Sequence, residues 1–172
     1  MNEIKNLPIV YIDRAPKNAE VLILSDNETG GYLAGRELIQ KGCRRILFLR
    51  DIRFASTVRS RKEGFVRALQ EKGMAFNEEL EMSCFPEYAE ARVVMERLLK
   101  EKGCFFDGIF ATNDMMALAC VNVLTENQIK VPGQVKVVGF DNISLTQFTS
   151  PQITTIAQDT KELALHAADT IL

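Results

Sequence analysis

A chain of 172 residues, 47% hydrophobic and 26% charged, is composed as a globular protein with enough length for one ordinary domain and its core. A net charge of −2 and a pI near 5.6 argue against the chain gripping nucleic acid by itself. No run of eighteen apolar residues is present, and residues 1–20 lack a signal-peptide pattern, so no membrane span and a cytoplasmic protein are expected.

Residues 7–12 (LPIVYI) read as a strand, ended by the polar turn Asp13-Arg14-Ala15-Pro16. A second, very short strand is expected at 21–24, and Ser25-Asp26-Asn27 is a helix start. The helix at 29–41 carries Tyr32, Leu33, Leu38 and Ile39 and stops at Gly42. Gly30, Gly31, Ala34 and Gly35 leave one of its sides thin. Close packing is the expectation, because neither the P-loop nor the dinucleotide glycine pattern is present. Next come a strand at 45–49, a polar loop at 50–57, and a helix at 58–72 with Phe65, Val66 and Leu69 on one face. A weaker strand at 80–85 precedes an amphipathic helix at 86–102, ended by Gly103. Strand 108–111, helix 114–127, strand 135–139 and a helical piece at 143–148 follow. Pro151 breaks the chain before a strand at 153–157 and a helix at 161–172. This alternation predicts an α/β fold, a doubly wound parallel sheet with helices on both faces. The last helix has no Gly, Asn or Pro to close it, so the chain is expected to stop inside a larger fold.

Two stretches share one design. Val135, Val137 and Val138 form a buried strand that meets Gly139-Phe140-Asp141-Asn142, and residues 108–111 form another that meets Thr112-Asn113-Asp114. Polar side chains just past the carboxyl ends of parallel strands lie where open α/β sheets bind ligands. The plainer readings are that Asp141 only caps a turn and that Asn113 or Asp114 is a helix cap. No catalytic set assembles: His166 is the single histidine, on the final helix, and no GxSxG elbow exists. Cys43, Cys84, Cys104 and Cys120 have no CxxC spacing, so no metal or cofactor site is expected, and buried reduced thiols are.

The series Pro8 to Arg14, Asp26-Asn27, Leu38 to Ile46 and Arg61-Lys62-Glu63-Gly64-Phe65 resembles the effector-binding core of lactose-repressor-type (LacI/GalR) regulators. So do Phe106 to Asp114, Val131-Pro132, Val138 to Asn142 and Pro151 to Asp159, in that order across nearly the whole chain. Cys43 departs from the family, many of whose members have His there, and the loop Arg50-Asp51-Ile52-Arg53 lacks the usual glycine. The resemblance implies a periplasmic-binding-protein-like (type I) core of two subdomains with a small effector in the cleft between them. By that resemblance 26–150 would be one complete subdomain, the second, with 1–25 and 151–172 as pieces of the first and the DNA-binding head absent. It also implies effector contacts at Asp13, Thr57, Arg61, Phe85, Asn113 and Asp141, with Tyr88 the alternative to Phe85. Carboxylates, an Arg fork and an Asn amide suit a sugar or related polyol. A homodimer is expected, with faces around Met115, Met116, Leu118, Ala119 and Val123 and at 145–148; DNA is contacted only through the missing head. A solute-binding protein for sugar uptake and, further off, a sugar-modifying enzyme are the alternatives.

Overall fold

The computed structural model describes residues 9–13 and 19–171. The chain divides into two compact units, Asn27–Ala157 and the pair of segments Met1–Asp26 and Gln158–Leu172.

In the smaller unit β1 (Val10–Ile12) and β2 (Val21–Ile23) pair in parallel, and α5 (Thr160–Ile171) packs against them. Residues 7 and 8 of the expected first strand lie outside the described residues. The single histidine, His166, is exposed on α5.

The larger unit holds a five-stranded, all-parallel sheet. In chain order it comprises α1 (Asn27–Gln40), β3 (Ile46–Asp51), α2 (Ser56–Gln70), β4 (Glu81–Cys84), α3 (Tyr88–Lys102), β5 (Gly108–Ala111), α4 (Asp114–Glu126), β6 (Lys136–Asp141) and β7 (Thr154–Ala157). The strands lie in the order β4-β3-β5-β6-β7. Period-2 alternation sends Ile46, Phe48, Phe110, Val138 and Phe140 to one face, under α1 and α2. Leu47, Leu49, Ile109, Ala111 and Val137 go to the other, under α3 and α4. The doubly wound α/β sheet is therefore present, with helices on both faces.

Several boundaries differ from the sequence reading. β3 and β6 each run on, to Asp51 and Asp141, because ladder pairing to Cys84 and Ala157 extends past the apolar residues. β7, expected with the smaller portion after Pro151, pairs with β6 and completes the larger sheet, so the crossing falls at Ala157–Gln158. Three cysteines are buried, as expected, but Cys104 is exposed. Burial pushes the Cys43 and Cys84 thiols up to about 11 and Cys120 further, which keeps them protonated and unreactive. Met116, Ala119 and Val123, expected on a dimer face, are fully buried in the core of the larger unit; Met115, Leu145 and Phe148 remain exposed.

The thin side of α1 has a specific use. A Cβ on Gly31 would lie 1.9 Å from the Arg61 carbonyl oxygen, and one on Gly64 would lie 1.9 Å from that of Glu28. Backbone therefore meets backbone where α1 and α2 cross, and no larger residue fits. That crossing brings the side chain of Arg61 within reach of Asn27.

Candidate functional site at the carboxyl edge of the larger sheet

From β3 the chain goes outward to β4 and then returns to the other side of β3 as β5. The crevice at the carboxyl ends of β3 and β5 is thus the topological switch point, where open sheets of this kind take ligands.

Arg61 reaches this crevice from α2, almost fully buried. Its Nε donates to Asn27 Oδ1 at 2.8 Å, and Nη1 donates to the Thr112 carbonyl at 2.5 Å, just past β5. The guanidinium carbon lies 3.6 Å from the Phe140 ring centroid, a close cation–π contact. Nη1 is also 3.7 Å from Asp141 Oδ1. Arg61 and Asp141 therefore converge on one side of the sheet edge. Asp141 is the more open partner, at 30% side-chain exposure against 6% for Arg61. Its backbone has φ 109° and that of Asn142 φ 53°, a region that non-glycine residues rarely occupy. Such strain clusters at functional sites.

Thr57 lies on α2 one turn before Arg61, on the same face, and is buried at 3% exposure. Asn113 is the N-cap of α4: its Oδ1 accepts from the Met116 amide at 2.8 Å, while Nδ2 donates to the Pro86 carbonyl at 3.0 Å. It therefore ties the loop after β4 to the loop after β5. Phe85 directly follows β4 and is half exposed. Tyr88, its alternative, is instead committed to the helical layer, where its hydroxyl accepts from Asn122 Nδ2 at 2.9 Å. Asp13 belongs to the smaller unit. It stands at the end of β1 with φ 65°, and among the described residues its Oδ1 is a buried oxygen without a hydrogen-bond partner. A buried acceptor in that condition calls for a donor.

Several residues here escaped the sequence reading. Asn27 orients Arg61, yet in sequence it is only part of a helix-start cluster. Asp51, 2% exposed, accepts from the Arg53 amide at 2.9 Å, from its Nε at 3.0 Å and from its Nη2 at 2.7 Å. Phe54 takes φ 48° in the loop that lacks a glycine, with the Arg50 guanidinium carbon 4.6 Å from its ring centroid. Asp114 is 1% exposed; its Oδ2 accepts from the Ile143 amide at 2.9 Å and its Oδ1 from the Thr155 hydroxyl at 2.6 Å. Burial raises its pKa, against the lowering effect of those hydrogen bonds. Gly139 leaves the room Asp114 occupies, since a Cβ there would stand 2.2 Å from Asp114 Oδ1.

At the opposite, amino edge lies a cavity of about 340 Å³, lined among others by Lys41, Lys136, Val137, Gln152 and Ile153. None of the expected contacts borders it. Among the described residues no group of His, Cys, Asp and Glu side chains could hold a metal ion, and no helix is long and apolar enough to cross a membrane.

Residues 36–172 match the family described as periplasmic binding protein-like domain. The chain belongs to that family. Within it, the chain is of the LacI/GalR regulator type. It is 32% identical over 163 residues to the HTH-type transcriptional repressor PurR of Pasteurella multocida, an alignment covering 94% of this chain and 48% of that protein. The Escherichia coli transcriptional repressor ascG shares the fold with a TM-score of 0.82 and 30% identity, over 95% of this chain and 60% of the other. A complex of the transcriptional regulator CelR with cellobiose superimposes with a TM-score of 0.86 at 29% identity, over 94% and 50% of the two chains. This periplasmic-binding-protein-like chain spans about half the length of the curated relatives it matches.

Proposed function

We propose that the chain is the effector-sensing part of a LacI/GalR-type transcriptional regulator. In this reading a small polyhydroxylated ligand binds at the carboxyl edge of the larger sheet. The observation that carries the reading is the approach of Arg61 to Asp141 at the switch point, with the carboxylate partly open and its backbone strained. Asp141 accepts from sugar hydroxyls, Thr57 and Asn113 supply donors and acceptors, and Phe85 gives an apolar face for a ring. The larger unit corresponds to the second subdomain of such a core, and the smaller unit, with Asp13, to pieces of the first. Similarity to repressors, one of them seen with cellobiose, supports regulation over transport or catalysis. Operator binding would reside in a separate helix-turn-helix head, and the work would be done in the cytoplasm, where the DNA is. Pairing of two copies would use Met115, Leu145 and Phe148, the exposed apolar residues of α4 and the turn after β6.

Isothermal titration of the 172-residue protein with neutral mono- and disaccharides, cellobiose included, tests the reading. Saturable binding by at least one is expected, and Asp141→Asn should weaken it by about 1.5–3 kcal/mol, the range for a hydrogen bond to a charged group. Binding by none, or binding indifferent to Asp141→Asn, overturns it.

A further inference from the structure

Asp141 and Asn142 are consecutive non-glycine residues at φ 109° and φ 53°. A turn of that kind persists only where its surroundings hold it. The holding groups come from two other elements. From α4, Asp114 accepts the Ile143 amide on Oδ2 at 2.9 Å. From β7, Thr155 donates its hydroxyl to Asp114 Oδ1 at 2.6 Å, and the same hydroxyl oxygen accepts the Asn142 amide at 3.2 Å. Both amides after Asp141 are thus tied, one directly and one through Thr155, to a single buried carboxylate. β6 makes room for it, since a Cβ on Gly139 would stand 2.2 Å from Asp114 Oδ1. Burying a carboxylate is costly unless its oxygens are well used, and here they are used on this turn.

We infer that Asp114, acting through Thr155, is the positioning residue for Asp141: the pair fixes the backbone that aims the Asp141 carboxylate at Arg61 and the crevice. The consequence for binding rests on the functional reading above; the positioning itself does not. Thr155 lies two residues before Ala157, where the larger unit ends, so the clamp also joins the turn to the strand that leaves that unit.

Amide hydrogen exchange by NMR on the ligand-free 172-residue protein decides the point. Thr155→Val keeps the shape and deletes the hydroxyl, while Thr155→Ser keeps the hydroxyl. Exchange at Asn142 and Ile143 should rise roughly tenfold or more in Thr155→Val and stay near wild type in Thr155→Ser, with amides of α3 unchanged in both. Cellobiose affinity, measured in parallel, should fall with Val and be kept with Ser. Unchanged exchange at both amides in Thr155→Val, or a Ser variant that behaves like Val, overturns the inference. If none of the saccharides binds, or the one that binds is held by Asp141→Asn as well as by wild type, the functional reading fails at that point, and the exchange arm still decides whether the clamp exists.

Discussion

An Arg61→Ala substitution would take the donor from Asn27 Oδ1 and from the Thr112 carbonyl, and the positive charge from beside Asp141. Taking the donor from a buried acceptor costs about 1–3 kcal/mol, and here two acceptors lose it, far more than losing a solvated helix charge. Urea unfolding of Arg61→Ala should therefore show a large loss of stability, in addition to any loss of ligand affinity; a loss below about 1 kcal/mol would contradict the network. In sequence, Asp141 stood out at the end of an apolar strand, whereas Arg61 was named only through the family resemblance and by local pattern alone reads as a solvated helix charge. The partners that make them work were not legible. Asn27 and Asp114 reach their contacts across the fold, over 34 residues to Arg61 and 41 to Thr155, and local patterning carries no record of that. Asn113 was legible as both cap and candidate contact, and its cap bond to the Met116 amide is present.

Helix crossing and strand pairing set where those side chains stand. Alanine for glycine inside a helix ordinarily gains about 1 kcal/mol. At Gly64 the sign should reverse, because the new Cβ would meet the Glu28 carbonyl at 1.9 Å. Gly64→Ala is expected to lose about 1–3 kcal/mol in thermal or urea unfolding; a gain would show that α1 and α2 are not in backbone contact. The α2 end of the sheet is further tied by Glu81, which bonds Arg50 Nε and Lys62 Nζ, both at 2.6 Å. Burial works against ionisation of Glu81, but the bonds from Lys62 and Arg50 outweigh it and hold its carboxyl below the ordinary range. A lowered folded pKa contributes stability above the unfolded value, about 4.3, that is lost as pH falls through the folded one. Asp114 has the opposite sign: its raised pKa favours the folded state at low pH, an advantage lost as pH rises from the ordinary Asp value through the raised one. Unfolding followed from about pH 2.5 to 6 should give a shallower acid-side loss in Glu81→Gln than in wild type, and an equal slope would remove Glu81 from the account. The elements themselves were largely readable from period and stop signals. Their ends were not, since ladder bonds at Asp51 and Asp141 carry strands past the last apolar residue.

For the molecule as a whole, alternating strands and helices were enough to anticipate a parallel sheet with two covered faces. The division into two units was legible only through the family resemblance, and Pro151, a strong local breaker, drew the boundary too early. β7 lies beyond it and still belongs to the larger sheet, because pairing with β6 outweighs the break in the chain. Among the places the larger unit offers a small ligand are the carboxyl edge, with Thr57, Arg61, Asn113 and Asp141, and the amino-edge cavity of about 340 Å³ beside Lys41 and Lys136. The central claim is that the first of these is the sensor. Mapping amide shift changes by NMR as cellobiose or another binding saccharide is added to the 172-residue protein separates them directly. The account predicts the largest changes at Thr57, Asn113, Asp141 and Asn142, with Lys41, Lys136 and Gln152 unmoved; changes centred on the amino-edge residues, with the Asp141 turn silent, would contradict it.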